Sequence, residues 1–462
     1  MKSIIKKWSA LLLLPLFVLS SCDKYLDVQP KGKRLLKSIG DFNLWLDNTT
    51  ALAYAIPNEI NMLDDRLDLA TIKTPPSGTS DLIYVWAQQY AAETFTAPVI
   101  WKDFYETIYY FNTVILEIDG AVGGSEEQKK SLKAEALLGR AFSYLYLVNL
   151  YGKPYNPATA GQDLAVPFVT SNDLNTPTPD RSTVKEIYDH IIADIEAALP
   201  ALPKNNNPNR FRGSIAAGYS ILARTYLYMG DYPKAAANAQ LALDNGQNTG
   251  LDYSVMPSAS GISNLVNRPG AIYGRLLKTT YTTYTPTLSF MKTFNTKDLR
   301  LAYYYLYTTD YSFTKRGEPM HFAMGINYSN AFPNCGTTVE EMRLIMAESA
   351  ARGGDLPKAI EELHQVRKTR FKPADYQKFE SADKELVLQK VLTERSLEFA
   401  FNAMRWFDMR RLDAEGRMPA VNRYDGQNNL IATLPPRSNK YTLQIPMQVM
   451  YFNPGWTQNA WD

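Results

Sequence analysis

Residues 230–235 read Gly-Asp-Tyr-Pro-Lys-Ala, and residues 354–359 read Gly-Asp-Leu-Pro-Lys-Ala, 124 positions later. Each copy lies between two stretches whose apolar residues recur at helical spacing. A glycine accepts the left-handed conformation that ends one helix. The aspartate after it can cap the next helix. The proline suits that helix's first turn, where its missing N–H would be unpaired anyway. Ala235, Ala239 and Ala242 follow in one copy, and Ala359, Leu363 and Val366 in the other. Small or compact residues at this spacing let two antiparallel helices pack closely. The chain is therefore predicted to hold helical hairpins built to one plan.

Such a unit is similar to the tetratricopeptide hairpin, whose helix pairs stack into a solenoid. The two copies are not adjacent, so long insertions must interrupt the stack. Working outward, helical patterns cover about 98–151, 183–199, 214–245 and 339–412. Within the first, Ala134, Leu138, Ala141, Leu145 and Val148 step by four and three and mark one face. The stretch 246–337 is Tyr-rich and broken by Gly and Pro. The tail 413–462 reads as irregular, with Pro419, Pro435, Pro436, Pro446 and Pro454. The expectation is a mostly α fold, a tetratricopeptide-like helical-hairpin solenoid with long irregular insertions. Its repeats fall mainly within 98–245 and 338–412, and ligand-loop insertions fall at about 54–97 and 246–337.

The chain has 462 residues, 45% apolar and 21% charged, enough for a sizeable core. Lys and Arg number 49 against 47 Asp and Glu, a formal charge of +2, so nothing marks a nucleic-acid partner. Two cysteines exclude a disulfide framework, and His190, His321 and His364 leave little for a zinc site. No serine-hydrolase elbow, phosphate-binding loop or zinc-protease motif occurs. Residues 1–22 read MKSIIKKWSALLLLPLFVLSSC: a lysine-bearing start, then an apolar run too short to anchor a membrane span. Leu19-Ser20-Ser21-Cys22 resembles the bacterial lipobox, which makes 1–21 a lipoprotein signal peptide, Cys22 the lipidated residue and 22–34 a tether. Removing Lys2, Lys6 and Lys7 would move the formal charge from +2 to −1. Cys335 would remain as the sole side-chain thiol, read as core packing. Residues 35–462 are then one domain.

Several motifs follow one another along the chain. Tyr25-Leu26-Asp27 with Pro30 follows the cysteine. Trp101, Tyr105, Ile108 and Asn112 share a helix. Ala134-Glu135-Ala136, Arg140-Ala141-Phe142 and Tyr151-Gly152 come next, then Arg181-Ser182-Thr183-Val184, Asp194 to Pro200, and Leu222 to Tyr228. Glu394-Arg395-Ser396-Leu397-Glu398-Phe399 with Arg405-Trp406-Phe407-Asp408 resembles a family pattern, ER..E..FEG.RWFDL.R. It departs at Asn402-Ala403, where Glu-Gly is usual, and at Met409. Ile445-Pro446, Asn453-Pro454 and Gln458-Asn459 close the series. Taken in order, these motifs resemble the SusD/RagB family, and the resemblance implies an outer-membrane lipoprotein, exposed at the cell surface. It would bind a glycan or oligosaccharide without catalysis or cofactor and deliver it to a TonB-dependent SusC-like transporter. A RagB-like peptide receptor with the same kind of transporter is the alternative; a glycan hydrolase is a weaker one, because it needs only two placed carboxylates.

The candidate ligand surface is read from aromatics: 30 tyrosines outnumber 19 Phe and 7 Trp together. Tyr and Trp join a flat apolar face to a polar edge, and sugars present C–H faces to such rings. Residues 79–90 offer Asp81, Tyr84, Trp86, Gln88, Gln89 and Tyr90; residues 281–311 offer Tyr281, Tyr284 and the run from Tyr303. Family ligand contacts come from variable loops, so the resemblance transfers none of these individually. Trp101 reads as core. Glu394, Glu398, Phe401, Arg405, Asp408 and Leu412 step by four and three and are expected on one helix face, as a semi-buried ion network. Asp64-Asp65-Arg66-Leu67-Asp68 lacks the glycine and terminal glutamate of an EF-hand loop and reads as solvated loop charge.

Overall fold

The computed structural model describes residues 36–69, 71–91, 93–257, 262–278, 283–306, 321–323 and 333–462. Cys22, the segments before residue 36 and Tyr281 lie outside the described residues. Ser38–Asp462 forms one unit. Its helices are α1 Ile39–Leu46, α2 Thr79–Tyr84, α3 Val99–Glu117, α4 Glu126–Tyr151, α5 Val184–Ala198, α6 Ile215–Met229, α7 Tyr232–Asp244, α8 Leu288–Met291 and α9 Leu299–Tyr304. They continue with α10 Val339–Gly353, α11 Leu356–Arg367, α12 Lys384–Glu398, α13 Arg405–Ala414 and α14 Met447–Phe452.

Both repeated turns fold alike. Gly230 and Gly354 end α6 and α10 at φ 76° and 90°. In each, the aspartate N–H reaches back to a carbonyl five residues earlier, Tyr226 or Ala350, at 2.9 Å. Asp231 and Asp355 then accept from the N–H of Lys234 and Lys358. Helix α7 of the first hairpin packs on α10 of the second. The 124-residue gap between the copies is thus closed in space.

The rest of the stack runs α3 on α4, α4 on α5, α6 on α7, and α10 on both α11 and α12. Capping boxes start α4 (Ser125 with Gln128) and α5 (Thr183 with Glu186), which satisfies N–H groups the helix cannot. The predicted face of α4 is buried at every position from Ala134 to Val148. Gly139 has a packing reason: a Cβ there would stand 2.1 Å from the Phe111 ring of α3.

Short antiparallel strands edge the helices. Leu164–Pro167 (β1) pairs with Arg181–Thr183 (β2), and Ala271–Tyr273 (β3) with Thr337–Thr338 (β7). Thr283–Tyr284 (β4) and Tyr305–Leu306 (β5) flank His321–Ala323 (β6). Val421–Tyr424 (β8) pairs with Leu430–Leu434 (β9), so the tail is less irregular than its prolines imply. The stretch 54–97 is also more than an excursion: Ile56, Ile60, Leu63, Leu67 and Ile83 belong to the main core.

Two sequence expectations are corrected. Residues 394–412 are not one helix. Helix α12 stops at Glu398, Phe401 and Ala403 turn left-handed at φ 56° and 62°, and α13 starts at Arg405. Asn61 pins the break, donating to the Phe401 carbonyl and accepting from the Ala403 N–H, both at 2.9 Å. Glu398 pairs with Arg300 at 2.9 Å and with Arg370; Arg405 grips Asp65 with two bonds of 2.7 and 2.8 Å. Nor is Asp64–Asp68 simply solvated, since Asp64 and Arg66 are a buried pair joined at 2.5 Å. An orphaned chain end at a helix break needs donors, and Arg66 supplies them to the carbonyls of Ser396 and Phe399. The expected ion network is present. Asp408 bridges Arg395 and Arg411, and Arg411 also holds Glu348. Trp101 and Cys335 are core residues.

Candidate functional site

Helix α2 ends at Tyr84, and the described residues 85–91 and 93–98 make the crossing to α3. Residues 444–448, which open α14, run alongside this crossing. Gln89 joins the two: its amide donates to the Ile445 carbonyl at 3.5 Å and accepts from the Met447 N–H at 3.2 Å. Between the segments lies a groove of about 530 Å³. Ile83, Ile100 and Tyr151 supply apolar walls; Gln88, Thr94, Thr96 and Gln448 bring amides and hydroxyls.

An aromatic ledge borders the groove. Gln448 donates to the Phe95 carbonyl at 3.3 Å, which draws residues 94–96 onto α14. Phe95, Tyr451 and Phe452 are 62%, 59% and 66% exposed. The Phe95 and Tyr451 rings meet edge-on at 5.1 Å and 76°, and Tyr451 meets Phe452 at 5.2 Å and 88°. Three large rings held together in water are costly to leave uncovered, and they offer flat apolar faces beside hydrogen-bonding groups. Tyr90 lines the groove with its hydroxyl buried and without a hydrogen-bond partner. Burial, aided by the neighbouring Tyr151, pushes that phenol well above its ordinary range, so it stays a neutral donor. Among the described lining residues the one ionisable acid is Glu93, and no Lys or Arg is present.

Of the predicted ligand residues, the structure brings Gln88, Gln89 and Tyr90 to this groove. Asp81 is half-buried on α2 and does not line it. Tyr84 and Trp86 are corrections: both are buried, at 2% and 1% exposed. They sandwich the Arg423 guanidinium at 4.2 and 4.5 Å, while Arg423 donates to the carbonyls of Met62, Asp64, Leu67 and Tyr84. These rings fasten β8 to the 62–86 segment and have no face for a ligand. Tyr284 is also buried, stacked on Phe401 at 5.3 Å. Phe95, Gln448, Tyr451 and Phe452 were not anticipated. The available signal was Tyr451-Phe452 standing directly before Asn453-Pro454 in a proline-punctuated tail. Among the described residues no group of His, Cys, Asp or Glu is placed to hold a metal ion, and no helix is long and apolar enough to cross a membrane.

A family model described as starch-binding and associating with the outer membrane matches residues 24–227, and the SusD family model matches residues 340–461. SusD-like protein P2 of Formosa agariphila is 25% identical over 425 residues, covering 77% of this chain and 80% of its own. Among solved structures, a SusD superfamily protein from Bacteroides thetaiotaomicron superposes with a TM-score of 0.73 at 20% identity, over 92% of this chain and 100% of that one. Surface glycan-binding protein A from Bacteroides uniformis gives 0.68 at 19% identity, over 92% and 100%. A SusD-like carbohydrate-binding protein from Bacteroides vulgatus gives 0.67 at 18%, over 90% and 97%.

Proposed function

The chain belongs to the SusD/RagB family, and from that premise we propose that it is a non-catalytic glycan- or oligosaccharide-binding lipoprotein of the outer-membrane surface. Cys22 anchors it, and its bound ligand passes to a TonB-dependent SusC-like transporter. One observation carries the binding role: the exposed Phe95–Tyr451–Phe452 ledge beside an amide- and hydroxyl-lined groove. Rings take the C–H faces of a sugar, while Gln88 and Gln448 reach its hydroxyls. The lining lacks Lys and Arg among its described residues, which favours a neutral glycan over an anionic one. A single carboxylate, Glu93, supports binding without hydrolysis, because glycoside cleavage uses two facing carboxyl groups. A tethered receptor beside a transporter raises the local ligand concentration at its entrance.

The test is calorimetric titration of the chain from residue 23 onward with neutral oligosaccharides. Phe95→Ala and Tyr451→Ala should each weaken binding about tenfold or more, the loss expected when a stacking ring is removed. Unchanged affinity in both variants would remove the ledge from the site. Binding of peptides and of no oligosaccharide would move the protein to the RagB-like reading.

A further inference from the structure

A second cleft, of about 660 Å³, opens where residues 251–253 and 268–271, α9 and the α12–α13 break converge. It shares no lining residue with the groove at the aromatic ledge. Asn402 lines it, is 2% exposed, and holds a buried amide oxygen without any hydrogen-bond partner. A buried amide in a folded protein is normally satisfied, and an orphan one costs stability. The flanking left-handed residues Phe401 and Ala403, pinned by Asn61, fix the backbone that carries it.

Three of the four charged groups on the walls of this cleft, Arg300, Glu340 and Glu398, are held in ion pairs, and the fourth, Arg268, donates to the Ser263 carbonyl. Arg300 pairs with Asp298, Glu394 and Glu398 at 2.6, 2.7 and 2.9 Å. Glu340 accepts from the Leu251 N–H at 2.7 Å and faces Arg370 at 3.2 Å. A charged ligand would disturb these pairs and find no free counter-charge in them. A neutral hydroxyl is both donor and acceptor, so it satisfies the Asn402 amide whichever end that amide presents. Tyr253 and Tyr304, joined by a 2.6 Å hydroxyl contact, add ring surface to the wall. We propose that this cleft binds a single neutral sugar unit, or a comparable small polyol, through Asn402.

The experiment uses the chain from residue 23 onward with glucose, galactose, xylose and glycerol as probes, read by saturation-transfer NMR and by crystals soaked in each. Asn402→Leu should weaken probe binding about tenfold or abolish it. Its melting temperature should hold or rise, because an apolar group replaces an unsatisfied one; a purely structural Asn402 would give the opposite. Pro269→Trp, at the exposed rim, blocks the mouth without entering the core and should abolish the signal as well. Phe95→Ala should leave probe density beside Asn402 in the soaked crystals unchanged, whatever it does to sugar held at the ledge. If neither Asn402→Leu nor Pro269→Trp alters probe binding, or if soaked crystals show only water beside Asn402, this site is overturned while the ledge stands.

Discussion

Ala403 sits at φ 62°, a conformation that costs a residue with a Cβ about 1–2 kcal/mol and glycine almost nothing. Glycine loses more chain entropy on folding, about 0.5–1 kcal/mol, so the two effects nearly but not fully cancel. Ala403→Gly is therefore expected to stabilise the protein by about 0.5–1 kcal/mol, read as a higher urea midpoint at unchanged slope. A lower midpoint would mean that the Ala403 methyl packs more usefully than its backbone is strained. Asp408 yields a second residue-scale prediction. Burial alone would raise its carboxyl, but Arg395 and Arg411, at 2.9 and 2.8 Å, reverse this and hold it down at about 2, against an ordinary 3.8. Above about pH 5 the carboxylate is ionised in both folded and unfolded chains, and its full contribution is present. As pH falls from there towards 2 the unfolded chain takes the proton first, so about 2 kcal/mol of stability is lost. Asp408→Asn should lower stability at pH 7 by about 3–5 kcal/mol, because two buried arginines lose their partner. It should also flatten the acid limb of the stability curve between pH 4 and 2; a limb as steep as wild type would exclude Asp408 as its source.

At the scale of elements, the repeated Gly-Asp-x-Pro turn was legible because each position has a local reason: a left-handed end, a cap, a proline in the first turn. Gly354→Ala should accordingly cost about 1–2 kcal/mol, since nothing lies within 4 Å of the added methyl and the left-handed backbone alone resists it. A loss below a few tenths, measured by urea unfolding, would mean that α10 can end without that conformation. The α12–α13 break was not legible, because its cause is not local. Residues 394–412 keep helical spacing throughout, and what divides them is Asn61 and Arg66, more than three hundred residues away, bonding to the chain at 396–403. The candidate site divides the same way. Gln89 and Tyr90 were found from an aromatic and amide-rich stretch, but Tyr84 and Trp86 in that stretch were claimed by Arg423, which composition cannot reveal. Phe95, Tyr451 and Phe452 are ordinary residues in sequence and become a ledge only where α14 lies against 94–96.

Across the whole molecule, the helical hairpins are complete by Ala414, yet the last 48 residues fasten to segments hundreds of positions earlier. Arg423 fastens to carbonyls between Met62 and Tyr84. Arg181 donates to the Thr457 carbonyl and to Asn459 Oδ1, and Asn459 in turn donates to the Tyr151 and Leu443 carbonyls. Leu434, Leu443 and Ile445 are fully buried in the core that α3 to α6 share. Removing one such aliphatic side chain costs about 2–5 kcal/mol, and a whole domain's stability is only about 5–15 kcal/mol. A chain ending at Ala414 is thus expected to lose cooperative unfolding, bind a hydrophobic dye and elute as aggregate, although every helix of both hairpins is present. Size exclusion and thermal melting of the truncated chain check this. A sharp melt within a few degrees of the full chain would mean that the stacked hairpins stand alone and that the tail serves only to carry α14 and its rings to the groove.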